Sequence, residues 1–270
     1  MPHLVALLAL AFTPTVFASI PSETNAASAL VSASHNIALQ DAAPVGPQWK
    51  GDLGLGATWT DGNTESSSVN TTFKAERRGA DDRWAFDAFV NYGDTTDKAT
   101  GTSTVTTNNS GASTKYDYFY SKRTFFYGNA SHKVDHVADL DLRAIVGAGV
   151  GYQWVEGERL KWATDAGLSY VDEDFGDNTA DADFVAARVA STLAYQISKT
   201  ASFAQLAEIL PSLKDSEDLI AKVDSKLKLS ITGKWNAFVQ HVLDFDNSVP
   251  DGNDEADHRV VVGVTWGFGG

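Results

Sequence analysis

The feature that most constrains this sequence is an alternation of apolar and polar residues that begins at Trp49. In WKGDLGLGATWT, residues 49–60, every second residue from Trp49 is apolar or glycine, and the residues between them are polar or small. A two-residue period is the signature of a β-strand with two different faces. The period is repeated in about twelve segments as far as the C-terminus, so the sequence predicts an all-β chain.

The connections between the predicted segments fall into two classes. Short turns are predicted at residues 79–82, 121–123, 155–158, 198–200 and 232–234. Most of the intervening connections are longer and polar, at residues 94–115, 172–183 and 246–257. Short turns at one end and long loops at the other are typical of an up-and-down antiparallel barrel, here with about twelve strands. The even strand number predicts that both ends of the barrel chain lie on the short-turn side.

Large aromatic residues lie at both ends of the apolar faces. Trp49 and Trp59 are ten residues apart, as are Trp235 and Phe245. At about 3.3 Å per residue and a tilt near 40°, this separation spans roughly 25 Å, the height of the lipid-facing band of an outer-membrane barrel. A soluble barrel would keep its large aromatics in the middle of its core. The predicted membrane-interface aromatics are Trp49, Trp59, Trp84, Tyr92, Trp154, Trp162, Tyr170, Trp235, Phe245, Trp266 and Phe268.

Three regions are predicted along the chain. Residues 1–18 contain the apolar run Leu4–Phe12 and a small-residue site that ends at Ala18, which is typical of a secretory signal peptide. Residues 19–48 are rich in alanine and serine and are predicted to be a flexible periplasmic leader. Residues 49–270 are predicted to form a transmembrane β-barrel in the bacterial outer membrane.

Composition excludes some functions. Lys and Arg number 21 against 35 Asp and Glu, a formal net charge of −14, which argues against nucleic acid as a partner. The chain has no cysteine, so disulfides and thiol chemistry are excluded. No cofactor motif is present, and we predict no cofactor and no enzymatic activity.

Charged residues occupy the polar faces of most predicted strands. In a barrel with an apolar exterior these side chains project into the lumen, where charges of both signs either pair and close it or line a pathway. The sequence leaves both alternatives open. The predicted lumen-lining residues are Lys50, Asp52, Lys74, Glu76, Asp87, Asp141, Arg143, Lys161, Asp165, Arg188, Glu208, Lys222, Asp224, Lys226 and Lys228.

Histidines offer the only hint of catalysis. The parity of His241 places it on the apolar face, where a lipase-like enzyme embedded in the outer membrane would use it with Ser191 or Ser225. No nucleophile motif accompanies it, so a neutral histidine facing lipid is the preferred interpretation. His132 and His136 have the spacing of a metal pair on a helix, but on a strand or loop that spacing loses its meaning.

Two acidic clusters fall in the predicted long loops. Such loops are usually only solvated, although they are also candidates for Ca²⁺ or Mg²⁺ that bridges to lipopolysaccharide phosphates. We predict no defined metal site, because neither cluster has the full spacing of a calcium loop. The clusters comprise Asp172, Glu173, Asp174, Asp177, Asp181 and Asp183, and then Asp246, Asp251, Asp254, Glu255 and Asp257.

Five stretches, taken in their order along the chain, carry a family resemblance. They are WKGDLGLGATWTDGNTESSSVNT, LRAIVGAGVGYQW, DAGLSYVDEDF, QLAEILPSL and the closing strand of glycine and aromatic residues. Together they resemble the YdiY-like salt-induced outer-membrane proteins, whose function is not defined. The resemblance covers most of residues 49–270. It implies an outer-membrane barrel and suggests a salt or stress response, but no substrate or catalytic residue.

These observations predict a narrow pore or an envelope-stabilising protein of undefined substrate. The expected partners are outer-membrane lipid, lipopolysaccharide and the barrel-assembly machinery. The alternatives are the membrane-embedded enzyme and a soluble secreted barrel that binds a ligand internally.

Overall fold

Twelve antiparallel strands form a closed barrel in a computed structural model that describes residues 48–62, 64–176, 181–215, 218–247 and 255–269. The predicted signal peptide, and the predicted leader up to residue 47, lie outside the described residues. The strands are β1 (Trp49–Thr60), β2 (Thr64–Arg78), β3 (Asp82–Asp97), β4 (Thr102–Phe119), β5 (Thr124–Asp135), β6 (Leu140–Glu156), β7 (Leu160–Phe175), β8 (Ala182–Gln196), β9 (Ala201–Pro211), β10 (Leu219–Thr232), β11 (Trp235–Asp246) and β12 (Ala256–Phe268).

Each strand pairs with its neighbours in sequence, and β1 pairs with β12 to close the barrel. This confirms the prediction of an all-β, up-and-down antiparallel barrel. Among the described residues, no helix is long and apolar enough to cross a membrane.

The barrel has two distinct ends. At the turn end, short connections follow β2, β4, β6, β8 and β10 at the predicted positions, and Trp49 and Phe268 lie at this end. At the loop end lie the connections that follow β1, β3, β5, β7, β9 and β11. The predicted asymmetry of turns and loops therefore has a structural counterpart, with one large exception.

The exception is the predicted loop at residues 94–115, which is wrong. β3 continues to Asp97 and β4 begins at Thr102, so only four residues separate the two strands. Here threonine and serine occupy both faces, which erases the apolar period, although β-branched threonine suits a strand well. The Ser66 and Thr95 hydroxyls lie 2.9 Å apart, and the Ser67 hydroxyl donates to Asp94 at 2.9 Å.

The other two predicted loops are shorter than expected. β7 continues through Glu173 to Phe175, and β11 continues to Asp246, so acidic residues assigned to loops lie in strands. Glu173 is fully buried and Asp246 is nearly so. Both were misplaced because acidic residues near a chain reversal look like loop residues when their partner is distant in sequence.

The two faces of the barrel differ sharply in chemistry. Apolar side chains such as Leu55, Val146 and Val262 are exposed on the outer face, while Asp165 and Arg188 are buried on the inner face. Strand alternation alone produces this segregation, because successive side chains point to opposite faces. The barrel is therefore apolar outside and charged inside.

Part of the interior is packed by aromatic rings against glycine. Phe125 on β5 is fully buried, and a Cβ added to Gly151 on β6, its register partner, would overlap the ring. Tyr127 lies in the same way over Gly149 and Gly167. Glycine is needed at these positions because only a backbone without a side chain lets a ring lie flat against the sheet.

Replacing Gly151 with valine is expected to destabilise the barrel by about 1–3 kcal/mol, because the added side chain forces the Phe125 ring out of its site or strains the sheet. Chemical unfolding of the refolded protein measures this. The matched control is Gly128→Val on the outer face of β5, where the nearest atom to an added Cβ is 4.0 Å away. Equal losses of stability in the two variants would contradict the packing argument.

Candidate functional site in the barrel lumen

Several ion pairs in the lumen join strands that are not neighbours in the sheet. Lys74 on β2 donates to Asp224 on β10 at 3.2 Å and also lies 3.3 Å from Asp87. Lys228 on β10 lies 3.1 Å from both carboxylate oxygens of Asp52 on β1. In the barrel, β12 and β11 lie between β1 and β10. These ion pairs therefore cross the lumen instead of joining adjacent strands.

Further contacts across the lumen lie at the loop end, and those of Arg143 are buried. The Arg143 guanidinium on β6 donates to Glu173 on the adjacent β7 and to Asp246 on β11, across the barrel. Lys133 on β5 reaches toward Asp244 on β11, at 4.0 Å. These contacts tie opposite walls of the barrel together near its loop end.

Apolar side chains fill the space beside this network. Val171, Phe184, Ala186, Leu210 and Ile220 form a buried cluster on the inner face of β7 to β10. Water is therefore excluded from one side of the lumen at this level, which strengthens the electrostatic attraction within the Arg143 network.

A second charged network lies on the inner face of β4, β7, β8 and β9. Asp165 accepts from Arg188 and, at 2.8 Å, from Lys115 on β4. Arg188 also donates to Glu208 at 2.8 Å, and its guanidinium carbon lies 5.0 Å from the centre of the Tyr127 ring. The Arg188 and Asp165 side chains at the centre of this network are nearly completely buried.

The turn end carries arginine against aromatic rings. Arg83 donates to Asp117 at 2.7 Å, and the Arg78 guanidinium lies 3.8 Å from the centre of the Phe119 ring. Phe119 in turn packs on Phe125 with ring centroids 5.2 Å apart. Stacking of guanidinium on a ring is favourable in a partly desolvated site. This end of the lumen is thus narrowed on the β4–β5 side.

Most of the predicted lumen-lining residues lie in these pairs. Lys50 pairs with Glu76 at 3.4 Å, across the adjacent strands β1 and β2. Lys226 and Lys222 lie over the rings of Phe238 and Phe89, at 4.1 and 5.7 Å respectively. The lumen-lining predictions found in ion pairs are Lys50, Asp52, Lys74, Glu76, Asp87, Arg143, Asp165, Arg188, Glu208, Asp224 and Lys228.

Asp141 lies at the loop end of β6 and Lys161 at the turn end of β7. Both are exposed at strand ends. The register shifts between Leu140 and Leu142, next to Asp141, and Leu140 is buried.

Sequence reasoning missed several charged residues of the lumen. Most lie on β4 and β5, where aromatic residues on both parities obscured the period, or in the segments taken for loops, whereas Arg78, Arg83 and Asp244 lie near the ends of β2, β3 and β11. The only available signal was their regular alternation with aromatic and small residues. The missed residues are Arg78, Arg83, Lys115, Asp117, Lys133, Asp135, Glu173, Asp244 and Asp246.

The predicted interface aromatics cluster in space. At the turn end, Trp84 packs on Tyr116 and Phe86 with ring centroids 4.6 and 5.8 Å apart, and Trp154 packs on Trp162 at 5.6 Å. Trp49, Trp235, Trp266 and Phe268 also lie at this end. Trp59, Tyr92, Tyr170 and Phe245 lie toward the loop end. Indole groups find local partners, since Trp162 Nε1 donates to Ser191 at 3.2 Å.

The candidate catalytic histidine has a different partner from the one considered. His241 Nε2 lies 3.2 Å from Nδ1 of His258, on the outer face of β12. Ser225 lies opposite His241 in register, but its hydroxyl accepts from Gln205 at 2.9 Å. Ser191 accepts from Trp162, as described above.

The other histidine pair is separated along the chain. His132 lies on β5, whereas His136 follows the end of that strand, and its backbone N–H donates to the Asn108 carbonyl at 3.1 Å. Within the part of the chain that the structure describes, no group of three or more His, Asp or Glu residues is placed to hold a metal ion. Of the acidic clusters, Asp177, Asp251 and Asp254 lie outside the described residues.

The arrangement of the lumen has a chemical consequence. Cations and carboxylates meet across the lumen, so much of their charge is balanced locally by ion pairs.

Comparison with known proteins finds solved structures of similar shape and one sequence family. No curated protein matches the sequence. The NanC porin is 10% identical with a TM-score of 0.47, covering 80% of this chain and 98% of that one. An outer-membrane channel from Pseudomonas putida F1 is 13% identical, with a TM-score of 0.46 and coverage of 84% and 97%. The KdgM porin is 10% identical, with a TM-score of 0.39 and coverage of 83% and 100%.

The sequence itself matches a family description over almost the whole barrel. The match covers residues 53–268, from β1 to the end of β12, and the family is described as a protein of unknown function, DUF481. The resemblance to YdiY-like proteins noted from the sequence is consistent with this match. The chain belongs to the DUF481 family.

Proposed function

We propose that this protein is an outer-membrane β-barrel that forms a narrow pore, with a lumen constricted by ion pairs between strands that are not neighbours in the sheet. The observation that carries the proposal is the set of cross-barrel pairs, above all Lys74 with Asp224 and Lys228 with Asp52. Ion pairs between non-adjacent strands occupy the cross-section that an open general pore leaves free. The protein would therefore admit only small or charged solutes that compete with these pairs.

The membrane location in this proposal is supported by the outer face. Apolar side chains are exposed on the outer face of every strand. Trp59 is 65% exposed, whereas a soluble barrel would bury a tryptophan in its core. A lipid environment makes this exposure favourable, with aromatics at the two interfaces. Contact with lipopolysaccharide through divalent cations at the loop end and folding by the barrel-assembly machinery belong to the same proposal.

The degree of exposure distinguishes a constriction from a solid plug. The side chains of Lys74 and Asp87 are each more than 40% exposed, whereas those of Glu173 and Arg188 are almost fully buried. Water thus reaches part of the lumen on the β1–β3 side. A hydrated pair is easier to separate than a dry one, because water screens its attraction.

The hydration of these ion pairs gives a physical basis for the salt response that the family resemblance suggests. Screening shortens the range of electrostatic attraction from about 10 Å at 0.1 M salt to about 3 Å at 1 M. The Lys74 and Lys228 pairs should therefore loosen as salt concentration rises. We propose that conductance through the lumen increases more steeply with salt than the conductivity of the bulk solution.

Single-channel recording in planar bilayers tests the proposal. The wild type is expected to give small conductance steps. The double variant Lys74→Ala/Asp224→Ala is expected to give several-fold larger steps, because the ion pair and the volume of its two side chains are both removed. The matched control is Lys50→Ala/Glu76→Ala, an ion pair between adjacent strands that does not cross the lumen. Large wild-type steps, or equal conductance in all three proteins, would refute the constriction.

A further inference from the structure

The outer face of β11 and β12 carries a histidine pair that the pore does not use. His241 and His258 are diagonal neighbours, since His241 is in register with Val260 and His258 with Leu243. Their ring planes are inclined by only 18° with centroids 5.5 Å apart, and Nε2 of His241 lies 3.2 Å from Nδ1 of His258. Two imidazole nitrogens therefore face one another at the surface.

The nitrogen separation matches a metal site. Zinc binds histidine nitrogen at about 2.0–2.1 Å in tetrahedral geometry, so two such nitrogens on one ion lie about 3.3 Å apart. The terminal torsion of histidine is broad, so a modest ring rotation directs both lone pairs at a common point. The backbone thus already holds the two ligands at the spacing that a shared ion requires.

The surroundings narrow the class of ion. Imidazole nitrogen suits zinc, copper and nickel, whereas calcium and magnesium require oxygen ligands. The residue opposite His241 on β10 is Ser225, and Val260 and Leu243 flank the pair. A hard cation would find no carboxylate among these flanking side chains.

The position of the histidine pair distinguishes it from the apolar side chains around it on the outer face. Polar side chains on the outward face of a membrane barrel are costly unless they have partners. His258 lies two residues inside the loop end of β12, so an ion can approach from the aqueous side. The hydrogen bond between the two rings uses one nitrogen of each. A bound ion would use the same two nitrogens as ligands and would give the pair a function.

We propose that His241 and His258 form a two-histidine site for one divalent transition-metal ion of the zinc, copper or nickel class. The remaining coordination positions face outward and are open to water or to a donor from another molecule. The site is independent of the lumen, and its loss is expected to leave conductance unchanged.

Isothermal titration with ZnCl₂ tests the site, using full-length protein refolded in detergent without a polyhistidine tag. We expect binding of one ion per chain that is at least about tenfold weaker in His258→Phe and in His241→Phe, because even second-shell changes cost that much in metal affinity. The matched control is His132→Phe, an exposed outward histidine on β5 that should bind like the wild type. Heat-dependent gel mobility reports that each variant is folded.

Two results would overturn the assignment. One is the absence of zinc binding by folded wild type, which would leave the histidines as a hydrogen-bonded pair. The other is an unchanged zinc affinity in His258→Phe, which would place any bound ion elsewhere on the chain.

Discussion

Replacing Leu55 with arginine is expected to lower the free energy of unfolding in phospholipid bilayers by about 2–4 kcal/mol, the cost of a charge near the midplane of a barrel exterior. Leu55 lies between Trp49 and Trp59 on β1 and is 54% exposed. In register with Val264 on β12, it forms part of a continuous apolar surface. The cost arises because arginine at this depth must be desolvated or must draw water and headgroups toward it.

Reversible urea unfolding in vesicles measures this effect, and a second arginine calibrates it. Val105→Arg on β4 is the matched control, since Val105 also faces outward but pairs with Asp94, two residues beyond the aromatic Tyr92. At that level the expected cost is about 0–1 kcal/mol. If Leu55→Arg cost no more than about 0.5 kcal/mol, as at an ordinary exposed site, the barrel would be water-soluble.

The strands and their faces were predictable because both depend on local chemistry. Most strands were visible from their two-residue period, and the outward position of residues such as Leu55, Val146 and Leu168 follows from parity alone. The turns could be located because glycine and charged residues interrupt that period. Where the period vanished, at residues 94–115, the prediction failed even though the backbone continues as strand.

The ion pairs across the lumen were not predictable from the sequence. Lys74 and Asp224 are separated by 150 residues, and their contact depends on the stagger of all the strands between them. Parity placed Lys74, Asp224 and Arg143 inside but could not say which level each one reaches. Register shifts, such as the one between Leu140 and Leu142, alter parity locally without an evident signal in the sequence.

The histidine pair illustrates the same limit on the outer face. Parity placed His241 outside, and the same alternation applied to β12 places His258 outside. Their proximity depends on the β11–β12 register, which offsets the two residues diagonally. Chemistry that arises between strands therefore became visible only once the register was fixed.

The largest loss of stability is expected from Arg143→Met, at about 3–5 kcal/mol, because removing one partner from a buried ion pair leaves the other charge uncompensated. Arg143 donates to both Glu173 and Asp246, and Glu173 is fully buried beside the apolar cluster of Val171 and Phe184. Methionine preserves much of the side-chain volume, so the effect isolates the charge. Urea unfolding of the refolded barrel provides the measurement.

Two further variants separate lost charge balance from lost packing. Arg159→Met removes an exposed arginine that donates to the Gln196 carbonyl at 3.3 Å and lies 5.3 Å from the centre of the Tyr195 ring, and it should change stability by less than about 0.5 kcal/mol. The triple variant Arg143→Met/Glu173→Leu/Asp246→Leu should recover most of the loss, because replacing a whole buried ionic network with apolar residues of similar volume is often tolerated. If the triple variant were as unstable as Arg143→Met, the arginine would act through its packing rather than its charge.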